Sequence, residues 1–279
     1  MHVFLAGGSG VLGAAVIPLL TAAGHRVTAT TRTPSKTAAL GRLGAKPVLL
    51  DALDGEAVSA AVGAARPDAV LHLLTDLGAG NSASNARLRT VGTRHLVDAA
   101  DRHGVRRMVA ESISWVYRPG PTPAGESEPL DVDAAEPRRT TVVAVQALET
   151  AVRELPEGVV LRFGQLYGPG TWYAPQGRFA HDARAGRLPA TETVASFIHV
   201  ADAARAAVLA LAWPAGVWNI VDDEPAPGRE WAPVFAAAVG APRPAVTSTG
   251  DLGRPVSNSR ARRHGLDLEH PSWRSGFAR

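Results

Sequence analysis

Seven residues near the N-terminus, Gly7-Gly8-Ser9-Gly10-Val11-Leu12-Gly13, stand between a short apolar run, His2–Ala6, and the helical run AAVIPLL. Glycine at the first of these positions permits a tight turn. At the fourth it lets the backbone approach a diphosphate, and at the seventh it lets the helix sit close on the strand. A diphosphate placed there meets free N–H groups and the positive end of a helix dipole. Because strand, turn and helix follow in that order, the spacing points to dinucleotide binding. Pro18 is expected to kink that helix or shorten it. Past the second strand come Thr31-Arg32-Thr33, with Ser35 and Lys36 nearby and no acid. An acid there favours a free ribose 2′-hydroxyl and Arg accommodates a 2′-phosphate, so NADP(H) is favoured and NAD(H) stays open.

A second group of chemistry-bearing residues follows the fifth strand, in Glu111-Ser112-Ile113-Ser114-Trp115-Val116-Tyr117. Ligands of open α/β sheets bind at the carboxyl ends of the strands. Ser112 or Ser114 is therefore the candidate hydroxyl for a substrate carbonyl, with turn formation as the alternative for each. Tyr117 is a second donor or a pocket wall, and Glu111 a weaker candidate. Trp115, Trp172, Tyr173 and Phe179 offer flat apolar surfaces for a planar aromatic or polyketide-like substrate; core filling is the competing use. His199 reads as a helix-entry or packing residue and His181 as a solvated helix position. Neither belongs to a metal spacing such as H-E-x-x-H, and no metal is expected.

The elements that must position these residues alternate short strands with Ala-rich helices. Strands are expected at His2–Ala6, Arg26–Thr30, Lys46–Leu50, Ala69–Leu73, Arg107–Ala110 and Val159–Arg162. Helices are expected at Val11–Ala23, Ser35–Leu43, Gly55–Ala64, Ala86–His103 and Thr140–Leu155. This is an α/β pattern, a doubly wound Rossmann parallel sheet over residues 1–163. The Pro- and acid-rich segment Arg118–Arg139 reads as a long loop. Residues 164–279 read as a smaller substrate-binding lobe with a strand at Ser196–Val200, a helix at Asp202–Ala212 and a strand at Val217–Val221, residues 195–215 returning to the sheet domain.

Composition removes several function classes. The 279 residues contain no cysteine, so disulfides, zinc–thiolate sites and thiol nucleophiles are excluded. A pI near 9.8 goes with a formal charge of only +3 and scattered Arg, which does not read as a nucleic-acid surface. No long apolar run suggests a membrane span and the N-terminus lacks signal-peptide features, so a cytoplasmic protein acting on a small molecule is expected.

The blocks of the chain, taken in order, resemble the extended short-chain dehydrogenase/reductases of the NAD-dependent epimerase/dehydratase type. Gly7-x-x-Gly10-x-x-Gly13 has that family's spacing. Asp51-Ala52-Leu53-Asp54 resembles its adenine-contacting turn, Val70–Leu73 its fourth strand and Thr90–Ala100 its G-T-x-x-L-x-x-A-A helix. Leu161–Gly170, Phe197–Ala204 and the tail around Arg262–Leu266, Pro271 and Trp273 resemble its later blocks. The resemblance implies that Gly7, Gly8, Ser9, Gly10, Val11, Leu12, Arg32, Asp51, Ala52, Leu53, Leu73, Leu74, Phe163 and Gly164 line the cofactor.

One departure governs the mechanism. Most members of the family carry Tyr-x-x-x-Lys, in which one helical turn sets a lysine beside a phenol and lowers its pKa toward working pH. With Glu149 matched to the acid that usually follows, Thr141 and Val145 occupy those two places. The tyrosines are Tyr117, Tyr167 and Tyr173, the lysines Lys36 and Lys46, and no pair has the spacing. The chain then resembles atypical ketoreductases that tailor aromatic polyketide antibiotics, including those acting on angucyclinones. The leading expectation is an NAD(P)H-dependent reductase of a ketone on such a molecule. The alternatives are a sugar-nucleotide epimerase or dehydratase and a non-catalytic NADP-binding redox sensor.

Overall fold

The computed structural model describes residues 1–76, 82–248 and 253–277. In chain order, β1 (His2–Ala6), α1 (Val11–Ala22), β2 (Arg26–Thr31), α2 (Thr37–Arg42), β3 (Lys46–Leu49), α3 (Gly55–Ala65) and β4 (Ala69–His72) alternate regularly. Then come α4 (Ser82–Arg87), a π-helical turn (Leu88–Gly92), α5 (Thr93–Arg102), β5 (Arg107–Ile113), α6 (Arg138–Val152) and β6 (Glu157–Phe163). The remaining elements are β7 (Gln165–Tyr167), α7 (Arg178–Arg184), β8 (Val194–Ala195), β9 (Phe197–His199), α8 (Val200–Leu209), β10 (Gly216–Ile220), β11 (Ala226–Pro227), α9 (Gly228–Ala238), α10 (Ser259–Arg263) and α11 (Trp273–Gly276).

A seven-stranded sheet in the order β10-β6-β5-β4-β1-β2-β3 carries the Rossmann arrangement. β1 runs parallel to both β2 and β4, β2 to β3, and β4 to β5. The strands read as continuous apolar runs because both faces are covered; every residue of β1 and β4 is buried. One register row joins Ala6, His72 and Ala110. Gly7, Leu73 and Glu111 therefore stand together one step beyond it, at the carboxyl edge. The expected strand at Val217–Val221 is β10, which lies beside β6 at the edge of this sheet.

The chain divides into two compact units. One comprises residues 1–112, 132–161 and 204–217; the other comprises 113–131, 162–203 and 218–279. In the first, α1 buries Leu12, Val16, Ile17 and Leu20 along one stripe, each large side chain stabilising by about 1.5–3 kcal/mol. The helix runs on through Pro18 to Ala22, so it is not shortened there. Where a single helix over Ala86–His103 is expected, α4, the π turn and α5 follow one another. The core of the second unit is aromatic: Tyr173 and Phe197 meet edge-on at 5.3 Å, and Phe197 and Trp231 at 5.4 Å. Two small sheets, β7 with β9 and β11 with β8, frame it.

Candidate active site

The glycine turn has the geometry of a cradle that side chains would fill. Gly7 lies at φ +94°, and a Cβ on it would fall 2.4 Å from the Leu73 carbonyl oxygen. A Cβ on Gly13 would fall 2.3 Å from the Gly7 oxygen. The turn is pinned to β2: the Gly8 N–H donates to the Thr30 carbonyl at 3.1 Å, and the Ser9 and Thr31 hydroxyls bond at 2.9 Å. Gly10 caps α1 with no side chain and no acid occupies the first turn, so the opening amides are left for an anion. These residues fit a dinucleotide diphosphate.

Around the cradle, Leu73 and Leu74 back the turn from the end of β4, the Leu73 N–H donating to the Ala6 carbonyl at 2.9 Å. Asp51 accepts from the Leu53 N–H at 2.9 Å, which shapes the expected adenine turn, and the Ala52 carbonyl meets His95 Nδ1 at 3.0 Å. Arg32, whose side chain is 62% exposed, pairs with Asp76 at 2.9 Å. The Ser84 hydroxyl, then Arg32, holds the Asp76 carboxyl below its usual range against the opposing effect of burial. In the second unit Phe163 is buried, and Gly164 lets the chain pass close to Phe197, where a Cβ would fall 2.8 Å from the backbone.

The three candidate hydroxyls differ in what they touch. Ser112 is fully buried and donates to Glu149 Oε1 at 2.7 Å. Tyr117 donates to Asn219 Oδ1 at 2.7 Å and accepts from Arg162 at 2.7 Å. Burial raises its pKa, with the Arg162 charge partly opposing. The buried Ser114 hydroxyl makes no hydrogen bond among the described residues.

On α6, Thr141, Val145 and Glu149 repeat every four residues, and Val145 is fully buried. At the sheet edge, His72 Nδ1 accepts the Leu74 N–H at 3.3 Å, so in the neutral ring Nε2 carries the proton to Thr93 Oγ1, 2.8 Å away. Burial first, and Arg89 second, lowers the His72 pKa to about 4. Burial raises Glu111 to about 7, with Arg89 opposing.

The aromatic candidates separate in the same way. Tyr173 is a core residue of its unit, edge-on to Phe197 and Phe235 and hydrogen-bonded to Gln165. Trp172 lies edge-on to Phe179 at 5.7 Å under the Arg178 guanidinium, and Trp115 is 43% exposed. His199 receives the Ala201 N–H at the start of α8, and His181 is exposed on α7. Among the described residues no cluster of metal-ligating side chains occurs, and no helix is long and apolar enough to cross a membrane.

Sequence reasoning missed Arg89, Arg162 and Asn219. Arg89 carried a signal: it shares a buried helix stripe with Thr93 and Leu96, where an apolar side chain is the norm.

With its Rossmann sheet, glycine cradle and block order, the chain belongs to the NAD-dependent epimerase/dehydratase family, whose model matches residues 3–220. It is 43% identical, across the whole of both chains, to a 3-diazoavenalumate denitrifying reductase of Streptomyces sp. It is 31% identical to a 2-alkyl-3-oxoalkanoate reductase of Stenotrophomonas maltophilia, over 87% of this chain and 77% of that one. Among solved structures it matches the UDP-glucose 4-epimerase of Thermotoga maritima, with TM-score 0.81, 21% identity and coverage of 100% and 96%. It also matches the Bordetella bronchiseptica enzyme WbmH in complex with NAD+, with TM-score 0.82, 20% identity and coverage of 99% and 95%. The family and its reductase members make this chain an NAD(P)-dependent oxidoreductase.

Proposed function

We propose that the protein reduces an aromatic diazo compound, replacing the diazo group by hydrogen with loss of dinitrogen. The observation that carries this reading is that none of Tyr117, Tyr167 and Tyr173 has a lysine four residues on; with Glu149 matched to the family's acid, Thr141 and Val145 fall at the places of a proton-donating Tyr and its Lys. Two of the three candidate hydroxyls are also already committed, Ser112 to Glu149 and Tyr117 to Asn219 and Arg162. Held by Gly7, Gly10 and Gly13, a reduced nicotinamide would supply a hydride, and a hydride delivered to an aromatic diazonium carbon would release N2 and leave a hydrocarbon that needs no proton. Reduction of a ketone leaves an alkoxide that does need one. A site without the family's Tyr and Lys proton donor suits the first reaction, and the full-length similarity to a reductase named for a diazo substrate supports it.

The chain's own residues then bind, orient and exclude water. The cradle fixes the diphosphate, and Arg32 at the end of β2 favours NADP(H) through a 2′-phosphate. Trp115, Trp172 and Phe179, all in the second unit, are flat apolar side chains of the kind that an aromatic ring would pack on. A second reading, the aromatic or polyketide ketone reductase expected from sequence, is favoured by the open Ser114 hydroxyl and by similarity to a 3-oxo acid reductase. Tailoring of an antibiotic-type aromatic molecule fits either substrate.

The test supplies purified protein and NADPH with a 15N2-labelled aryl diazo acid, and separately with aromatic and aliphatic 3-oxo compounds. Nicotinamide absorbance and released 15N2 are followed against an enzyme-free control. The expected result is one N2 per NADPH oxidised, without net proton uptake. NADPH oxidation with ketones alone, matched by proton uptake, would establish the second reading. Cofactor binding with no turnover on either panel would sink both.

A further inference from the structure

Arg89 lies in the π-helical turn between α4 and α5, only 5% exposed. Its guanidinium has five donors, yet it makes no hydrogen bond or ion pair among the described residues. Arg162, equally buried, shows what a satisfied arginine looks like here, bonding the Tyr117 hydroxyl at 2.7 Å and the Glu126 carbonyl at 3.3 Å. The Arg89 nitrogens are not among the enclosed side-chain atoms that lack a partner, so the guanidinium reaches open space while its stem is buried, and a charge held in that way calls for a specific explanation. π turns gather at functional sites for a mechanical reason: the extra residue re-aims a side chain that a regular helix would direct elsewhere.

Among the described residues nothing completes Arg89. His72, on β4, is neutral, and both its nitrogens are engaged by Leu74 and Thr93. Glu111, on β5, acts on Arg89 through its charge but forms no ion pair with it. Asp76, beyond β4, is held by Arg32 and Ser84, and Glu149, on α6, by Ser112. The cluster also lies close to the glycine cradle. Glu111 is level with Gly7 across two strand spacings of the sheet, roughly 10 Å, which is within the length of a dinucleotide seated on the cradle.

We infer that Arg89 binds an anionic oxygen group of the aromatic substrate, a carboxylate or a phenolate. The inference deepens the proposed function and takes the aromatic substrate from it. The planar fork of a guanidinium matches a carboxylate through two parallel bonds and holds a phenolate through one or two. Glu111 is the competitor: its own carboxylate, once ionised, answers the same positive charge. Binding of the anion therefore weakens as pH rises through about 7, and Glu111→Gln removes that weakening.

Calorimetry on protein saturated with NADP+ tests this without turnover, using cinnamate as carboxylate probe, 4-nitrophenolate as phenolate probe and cinnamamide as neutral control. Wild type is expected to bind one of the two anions at least tenfold more tightly than cinnamamide, and the preferred anion identifies the substrate group. Arg89→Met should abolish the difference while leaving cinnamamide and NADP+ binding unchanged, and Arg89→Lys should keep part of it. Between pH 6 and pH 8 the affinity for cinnamate should fall in wild type and stay level in Glu111→Gln. Equal binding of anions by wild type and Arg89→Met overturns the inference. So does a loss of NADP+ affinity in Arg89→Met, which would turn the guanidinium toward the cofactor. If Arg89→Met does not fold, Arg89→Lys and Glu111→Gln decide: anion binding unchanged in the first and an unaltered pH profile in the second overturn it as well. Anion binding that survives where diazo reduction fails leaves this site standing and removes only the proposed reaction.

Discussion

At Gly7, two independent constraints exclude any side chain: a positive φ of 94° and a Leu73 carbonyl 2.4 Å from where a Cβ would sit. Gly7→Ala should therefore weaken NADP+ binding by at least a hundredfold and lower the thermal midpoint, as calorimetry and a melting curve would show. Arg32 is different, being exposed and held only by a surface pair with Asp76, a kind of contact that contributes about 1 kcal/mol or less to stability. Arg32→Ala should leave the melting curve unchanged and weaken NADP+ about tenfold, with NAD+ affinity unaltered; equal effects on both nucleotides would remove the preference for the 2′-phosphate. The cradle was legible in the sequence because glycine alone tolerates such positions and its spacing is local. Arg162 was not legible as the partner of Tyr117, since 45 residues separate them and no local pattern announces a cation brought up by tertiary folding.

Among elements, the alternation of strand and helix through β6 could be read directly, because buried parallel strands and Ala-rich crossovers leave distinct periods. Two features could not. The π turn at Leu88–Gly92 changes the face that a residue presents without changing composition. The pairing of β10 beside β6 is a long-range event that a five-residue apolar run does not specify. The segment that follows β5 and carries Ser114 and Tyr117 shows how packing can alter a chemical role. Tyr117 is buried, its hydroxyl engaged on both sides and its pKa raised. Tyr117→Phe should leave turnover within about threefold of wild type. It should cost about 1–3 kcal/mol of stability, because Arg162 and Asn219 each lose a buried partner. Steady-state rates and a urea titration measure the two quantities, and a hundredfold fall in kcat at unchanged stability would restore the phenol as the second donor weighed from sequence.

Over the whole molecule, buried histidines and acids pull the pH dependence of stability in opposite directions. His72 has a folded pKa near 4, below its ordinary 6.5, so the unfolded chain takes the proton first. The stability this represents is present above pH 6.5 and is lost as pH falls toward 4, on the order of 3 kcal/mol for a fully buried ring. Glu111 works the other way: with a folded pKa near 7 against an ordinary 4.5, its contribution is present below pH 4.5 and lost as pH rises toward 7. Between pH 4.5 and 6.5 the two nearly cancel within the first unit. The same opposition recurs in the second, where burial and the His270 charge lower His199 to about 4 and burial raises Asp222 to about 8. Wild type should therefore show a thermal midpoint that changes little across that window. Glu111→Gln removes one arm of the balance, so its midpoint should fall steadily on acidification from pH 6.5 to 4.5. His72→Gln removes the other, and its midpoint should rise over the same range. Melting curves at half-unit pH intervals on the three proteins measure this directly; parallel profiles would mean that neither buried group titrates across the window as its surroundings dictate.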